Sequence, residues 1–376
     1  MRPYAKFFVF AILAAALVLG CSRGPATLKI GGIGPLTGAA ATFGASTKQG
    51  IELAVGEWNA NGGILKKQIQ LVFEDDKGDP AEGATVYTKL IQQDKVTALV
   101  GTVMSKVTLA GAPIAQAAKI PMISPTSTNE KVTQVGDYIF RACFIDPFQG
   151  TVGAKFAYNE LKATKAAVLY DVGNDYSKGL AENFQKAYEA LGGKVVDYEA
   201  HPTGTVDFKA QLTKITRAKP DVIYVPDYYQ DDAVIAKQAR ELGYKGPMVG
   251  GDGWDSPDLF KVGGDAVNNC FFSNHYAADS TDPKVVKFVT DYKAKFNNQV
   301  PDALAALAYD AANIMFTAIQ KAGSTDSAKI RDALAATDLA CVSGQVKFDE
   351  NRNPIKSAVI IECKNGQEVY RSTVNP

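Results

Sequence analysis

Hydroxyl side chains follow two successive short apolar runs of the chain. Ser105 comes after the first run and before a predicted helix. Thr126, Ser127 and Thr128 come directly after the second run. In open α/β sheets, ligands bind beyond the carboxyl ends of the strands, where helix N-termini present N–H groups and a partial positive charge. These hydroxyls could therefore bind a carboxylate, although the same residues could equally form a helix cap and a capping loop.

The motifs of common enzyme classes are missing from the sequence. There are only two histidines, His201 and His275, and neither belongs to an HExxH pattern. We expect both to be structural or exposed. The glycines of segment 32–34 begin a GxGxxG pattern, but Thr37 stands at its last position and Pro35 interrupts the helix start. The sequence therefore favours a binding protein without a cofactor over an α/β enzyme.

Acidic residues occur next to one another in segments 74–76 and 231–232. Neighbouring side chains on a strand or helix point in different directions, so these carboxylates are predicted to lie on solvated faces and at helix caps. The cysteines show no CxxC spacing. The sequence predicts no metal site.

The N-terminal segment has the layout of an export signal at residues 1–20. Arg2 and Lys6 precede an apolar stretch at 7–19, which is short for a membrane span. The junction LVLGCS resembles the lipobox of bacterial lipoproteins, which implies cleavage before Cys21 and lipid attachment to its thiol. An ordinary cleaved signal or an uncleaved anchor remains the alternative.

The composition argues against partners of strong charge. Removing Arg2 and Lys6 with the signal leaves 38 basic residues against 40 acidic ones, a formal charge of −2. No basic excess is present to attract nucleic acid or an anionic membrane surface. We expect a monomer that contacts the membrane only through its lipid anchor.

Four cysteines remain after Cys21, and in an exported chain they allow three pairings. If segments 342–348 and 357–362 form a hairpin, Cys341 and Cys363 fall opposite each other. This disulfide is a hypothesis, and the other pairings of Cys143 and Cys270 stay open.

The fold class follows from the alternation of short apolar runs with helical segments. A chain of 376 residues, 46% of them hydrophobic, predicts two domains. Strands that alternate strictly with helices predict parallel sheets, so the chain should form two doubly wound α/β units. Three later helical segments, at 283–296, 301–321 and 326–336, should complete these units, followed by the hairpin. Predicted strands occupy 28–33, 69–74, 98–101, 121–124, 166–170, 194–198, 221–225, 247–250 and 271–273.

An ordered series of motifs covers the chain from Thr27 to the C-terminus. They are GPLTG at 34–38, NANGGI at 59–64, EDDKGDP at 74–80, LVGTVMS at 99–105, ISPTSTN at 123–129, FRACFIDPFQG at 140–150, YDVGNDYSKGL at 170–180 and AYDA at 308–311. In these motifs the chain resembles the leucine/isoleucine/valine-binding family, the type I periplasmic binding proteins of ABC transporters.

The resemblance implies two Rossmann-like lobes with the ligand cleft between them. The first lobe would comprise 27–143 plus 277–339, and the second 146–274 plus 343–376. Three hinge crossings are expected, near 143–146, 273–277 and 338–343.

The resemblance also implies a set of ligand-binding residues. Positions matching Thr126 and Thr128 bind the ligand's carboxylate and part of its ammonium group. Asp252, in VGGDGWD, stands where the family has an acidic residue for the ammonium group. Tyr176 and Tyr228 match aromatic positions of the second lobe. Phe43 and Leu304 complete the expected set in the first lobe.

These residues together describe a binding site with apolar walls and polar groups at one end. Such a site suits an amino acid better than a sugar. The resemblance therefore implies an extracytoplasmic binding lipoprotein that passes an amino acid to ABC permease subunits. A sensor that binds an amide or an aromatic acid and reports to a receptor is the alternative.

Overall fold

A computed structural model describes residues 27–376 of the chain. The expected signal peptide and Cys21 lie outside these described residues. The first part contains β1 (Thr27–Gly34), α1 (Ala41–Ala60), β2 (Gln68–Asp75), α2 (Pro80–Gln92), β3 (Ala98–Val100), α3 (Ser105–Ala117), β4 (Met122–Ser124), α4 (Lys131–Gln134) and β5 (Ile139–Arg141).

The middle of the chain repeats the alternation. It contains α5 (Asp146–Lys155), β6 (Lys165–Asp171), α6 (Asp175–Ala190), β7 (Lys194–His201), α7 (Lys209–Ala218), β8 (Val222–Tyr224), α8 (Tyr229–Glu241), β9 (Met248–Gly250), α9 (Pro257–Gly263) and β10 (Cys270–Asn274). The last part contains α10 (Pro283–Lys295), α11 (Ala303–Ala322), α12 (Ser327–Ala335), β11 (Asp338–Cys341), β12 (Gly344–Lys347), β13 (Ala358–Lys364) and β14 (Gln367–Val374).

Two large sheets form the two lobes. The first sheet has the order β2-β1-β3-β4-β5, and all of its neighbouring strands are parallel. The second has the order β14-β13-β10-β9-β8-β6-β7, with an antiparallel edge formed by β13 and β14. Helix α11 packs with strands of the first sheet in one apolar core. The predicted α/β class with two doubly wound lobes is confirmed.

Local chemistry explains the start of α2. Its cap, Asp79, accepts hydrogen bonds from the N–H groups of Ala81 and Glu82 at 2.8 and 3.0 Å. Pro80 is the first helical residue, where a missing N–H costs no hydrogen bond. An aspartate followed by a proline is a typical sequence signal of a helix start.

The C-terminal part differs from the predicted hairpin. Strand β12 pairs with β11, whereas β13 pairs with β10 and β14. Val346 is buried in the core of the first lobe, and Phe348 packs on Phe140 with ring centroids 5.3 Å apart. Residues 344–348 therefore belong to the first lobe, and the third crossing comes later than expected, between 349 and 357.

The predicted Cys341–Cys363 disulfide is wrong in this structure, where both residues are free thiols. The hairpin that would join them does not form, so Cys341 lies in the core of the first lobe and Cys363 in a core of the second. The residue opposite Cys363 on its neighbouring strand is Cys270.

Thiol labelling of the native protein should give almost no reaction at Cys143, Cys270, Cys341 and Cys363. All four are buried, and burial raises the pKa of Cys143 and of Cys270 to about 12, so little thiolate is available. After denaturation without reductant, alkylation and peptide mapping should find all four labelled. A protected pair after denaturation would contradict the free-thiol structure.

The lobes touch across the cleft. The hydroxyl of Tyr229 donates to the carbonyl of Ala39 at 2.8 Å, and the Asn129 amide donates to the carbonyl of Asp175 at 2.9 Å. The structure therefore has the cleft in a closed arrangement. Within residues 27–376, none of the helices combines the length and the apolar character that a membrane crossing requires.

Candidate ligand site in the cleft

A cavity lies between the two lobes, at the carboxyl ends of the strands of both sheets. In this closed arrangement its free volume is only about 20 Å³, so the side chains of the two lobes lie close together across it. Its wall is formed by Phe43, Val103, Ser105, Thr126, Tyr176, Tyr228, Asp252, Gly253 and Leu304.

Ser105 contributes the polar end of the wall in the first lobe. It is the first residue of α3, and its hydroxyl accepts a hydrogen bond from the N–H of Asn129 at 3.2 Å. The cap position belongs to Met104, whose side chain makes no capping bond. Ser105 is thus not a helix cap, and it lies where the first N–H groups of α3 have no acceptor within the helix.

The three hydroxyls of the loop after β4 have different surroundings. Thr126 borders the cavity and donates to the carbonyl of Val103 at 3.1 Å. Ser127 turns into the lobe, where its hydroxyl contacts Thr108 at 2.6 Å. Thr128 is fully buried, and its hydroxyl has no hydrogen-bond partner within residues 27–376. Of these three residues, only Thr126 borders the cavity, and Ser127 and Thr128 lie outside its wall.

Asp252 provides the only carboxylate of the cavity wall within the described residues. It opens a short 3₁₀ turn directly after β9 and is 8% exposed. One carboxylate oxygen accepts from the hydroxyl of Tyr176 and from the amide of Gln149, both at 2.9 Å. The other lies 3.0 Å from the Nε2 atom of His275. The carboxylate is therefore held by three side chains, from α5, α6 and the segment after β10.

Aromatic rings line the side of the cavity formed by the second lobe. The rings of Tyr176 and Tyr228 stack with centroids 5.1 Å apart. Burial, with the charge of Asp252, raises the pKa of Tyr176 well above 10, so its hydroxyl stays protonated and donates. Phe43 of the first lobe meets Tyr228 edge to face at 5.7 Å. Together with Leu304, these rings make the remainder of the wall largely apolar.

The sequence did not single out Gln149 as a site residue, and it assigned His275 no functional role. Both reach Asp252 from segments remote in sequence. Gln149 lies within the motif FRACFIDPFQG, but its role depends on a contact with Asp252 that the motif does not reveal. His201 is buried as well, but its Nε2 atom lies 2.8 Å from Asp227, away from the cavity wall. Burial alone would lower the pKa of His201, whereas its hydrogen bond with Asp227 raises that pKa to about 9.

A larger groove, open to solvent, lies between the second and third crossings. Its wall includes Asp279, Asp282 and Lys356, together with residues of both lobes such as Val285 and Tyr370. Among residues 27–376, no group of three or more His, Cys, Asp or Glu side chains is arranged to hold a metal ion. The cleft cavity differs from this groove because Ser105 and Thr126 of one lobe face Asp252 of the other across it.

The fold and this cavity define a two-lobed solute-binding protein. The family described as periplasmic binding protein matches residues 27–368. The Leu/Ile/Val-binding protein BraC3 of Rhizobium johnstonii is 33% identical over 345 residues, which cover 90% of this chain and 92% of that protein.

Solved structures agree with this match. The leucine-binding protein LivK of Thermotoga maritima has a TM-score of 0.89 at 40% identity, covering 93% of this chain and 99% of that one. LivJ of Streptococcus pneumoniae, in complex with isoleucine, has a TM-score of 0.88 at 36% identity, covering 93% and 100%. This chain belongs to the Leu/Ile/Val-binding family of periplasmic binding proteins. Because it is a family of binding proteins, the prediction that the chain is not an enzyme is confirmed.

Proposed function

We propose that this protein binds an aliphatic α-amino acid in the cleft and delivers it to the permease of an ABC importer. The observation that carries the proposal is the division of polar groups between the lobes. Ser105 and Thr126, beside the N-terminus of α3, suit a carboxylate, and Asp252 on the other lobe suits an ammonium group. A zwitterion would therefore bridge the lobes and stabilise the closed cleft.

The apolar part of the cavity supports an aliphatic side chain. Phe43, Val103 and Leu304 from the first lobe meet the tyrosine rings of the second. The small size of the cavity favours a single amino acid over a peptide. BraC3 is named for leucine, isoleucine and valine and LivK for leucine, and LivJ was solved in complex with isoleucine, which supports the same ligand class.

Isothermal titration calorimetry of unliganded protein against a panel of solutes tests the proposal. The panel contains leucine, isoleucine, valine, glutamine, phenylalanine, benzoate, 4-methylpentanoate and glucose. We expect the branched-chain amino acids to bind most tightly. Tightest binding of a carboxylate without an amino group would remove the proposed role of Asp252. Tightest binding of glucose would overturn the head-group model.

We also propose export and attachment to the membrane through lipidated Cys21, a residue that lies outside the described part of the chain. Metabolic labelling with an alkyne fatty acid should label the parent protein and leave the variant Cys21→Ser unlabelled. A sensor role in place of transport would be favoured if permease and ATPase genes were absent from the neighbourhood of this gene.

A further inference from the structure

His275 is the one histidine of the described chain that contacts the cavity carboxylate. It follows β10 directly, is 4% exposed, and its Nε2 atom lies 3.0 Å from Oδ2 of Asp252. An ionised carboxylate only accepts hydrogen bonds, so Nε2 carries the proton and donates. Tyr176 and Gln149 donate to the other oxygen, Oδ1. His275 is thus the one side chain of the three that fixes Oδ2.

The imidazole ring is itself held by stacking. It lies against the ring of Phe144 with centroids 3.8 Å apart and an interplanar angle of 23°. Phe144 belongs to the first crossing between the lobes, and His275 begins the second. The direction of the Nε2–H bond is therefore set at the place where two crossings meet.

The ring can donate without cancelling the charge of the carboxylate. The charged groups that act on it are Asp252 and Lys356, the latter from the third crossing. Burial lowers the pKa of His275, the hydrogen bond and charge of Asp252 raise it, and the positive charge of Lys356 lowers it, with a net shift downward. A neutral ring supplies one hydrogen bond, so the full negative charge of Asp252 remains for a cationic group.

We propose that His275 is a positioning residue that orients the Asp252 carboxylate toward the ligand's ammonium group and thereby favours ligands that carry one. This inference rests on the proposed function, because it concerns the group that Asp252 binds. If His275 only fills the core, replacing it should weaken the affinity for all ligands alike. If it acts through Asp252, replacing it should weaken the affinity only for ligands with an ammonium group.

Calorimetry on the full chain separates these two roles. The ligands are leucine and 4-methylpentanoate, which is leucine without its amino group. His275→Phe keeps a ring to stack on Phe144 and removes the donor, and we expect leucine to bind at least about tenfold more weakly. Affinity for 4-methylpentanoate should stay within about threefold. His275→Gln restores an N–H donor and should bind leucine within about threefold of the parent.

Two further comparisons complete the experiment. In the background Asp252→Asn, adding His275→Phe should change leucine affinity by less than about twofold, because coupled residues give non-additive effects. This cycle decides the question even if 4-methylpentanoate binds too weakly to measure.

His201→Gln alters the other buried histidine, which contacts Asp227 and not Asp252. It should leave leucine affinity unchanged.

Unchanged leucine binding by His275→Phe would overturn the inference, as would additive effects in the Asp252→Asn background. Equal losses for leucine and 4-methylpentanoate would assign His275 to the core. Failure of the parent protein to bind any amino acid is a different result, since it would reject the proposed function itself.

Discussion

Asp252→Ala is expected to weaken binding of a branched-chain amino acid at least about 100-fold. Asp252 is 8% exposed and receives hydrogen bonds from three side chains, so its charge is held in place before a ligand arrives. Removing one partner of a buried charge pair costs about 3 to 5 kcal/mol, because the other charge remains buried without compensation. A change of 2.7 kcal/mol already corresponds to about 100-fold in affinity.

Isothermal titration calorimetry with leucine measures the effect, and solution scattering reports the closure of the lobes. The variant should lose the decrease in radius of gyration that leucine produces in the parent. Asp258→Ala is the matched control, because it removes a carboxylate of the same lobe that pairs with Lys261 at the surface. The zwitterion assignment fails if Asp252→Ala binds leucine as tightly as the parent does.

Gly50→Ala is expected to lower the free energy of unfolding by about 2 to 3 kcal/mol. Gly50 is buried where α1 crosses α11, and a Cβ atom there would lie 2.2 Å from the carbonyl oxygen of Ala305. Because the obstructing atom belongs to the backbone, the two helices must move apart. These helices also carry Phe43 and Leu304, so the first-lobe wall of the cavity should shift with them.

Gly56→Ala provides the control within the same helix. Gly56 is exposed, and its new Cβ atom would meet only the flexible end of Lys295, at 3.2 Å. Replacing a helical glycine by alanine at an open position stabilises by roughly 0.5 to 1 kcal/mol. The midpoint of urea unfolding should therefore fall for Gly50→Ala and rise for Gly56→Ala. An unfolding midpoint for Gly50→Ala at or above that of the parent would contradict the close packing of α1 on α11.

The lobes were predictable because their elements are encoded by neighbouring residues. The alternation of apolar runs with helical segments predicted the central strands of both sheets. Strand β5 was not predicted, since it is only three residues long and fully buried, with no alternating pattern. The pairing of β13 with β10 was not predictable either, because it joins segments about 90 residues apart.

Parts of the site could be predicted from the position of residues after strands. Ser105, Thr126 and Asp252 each follow a strand of a parallel sheet, and all three border the cavity. Ser127 was placed in the same set, but the loop turns its hydroxyl into the lobe. Position after a strand identifies a segment, and the orientation of each side chain depends on the packing behind it.

The sequence by itself determined the α/β alternation, the two lobes and the strand ends at which a ligand can bind, since each of these depends on residues close together in the chain. The tertiary structure alone decided which side chains hold the Asp252 carboxylate in place. Gln149, Tyr176 and His275 reach Asp252 only because the first turns of α5 and α6 and the segment after β10 meet beyond the end of β9. Hydrogen bonds between such distant segments leave no periodic or local pattern in the sequence.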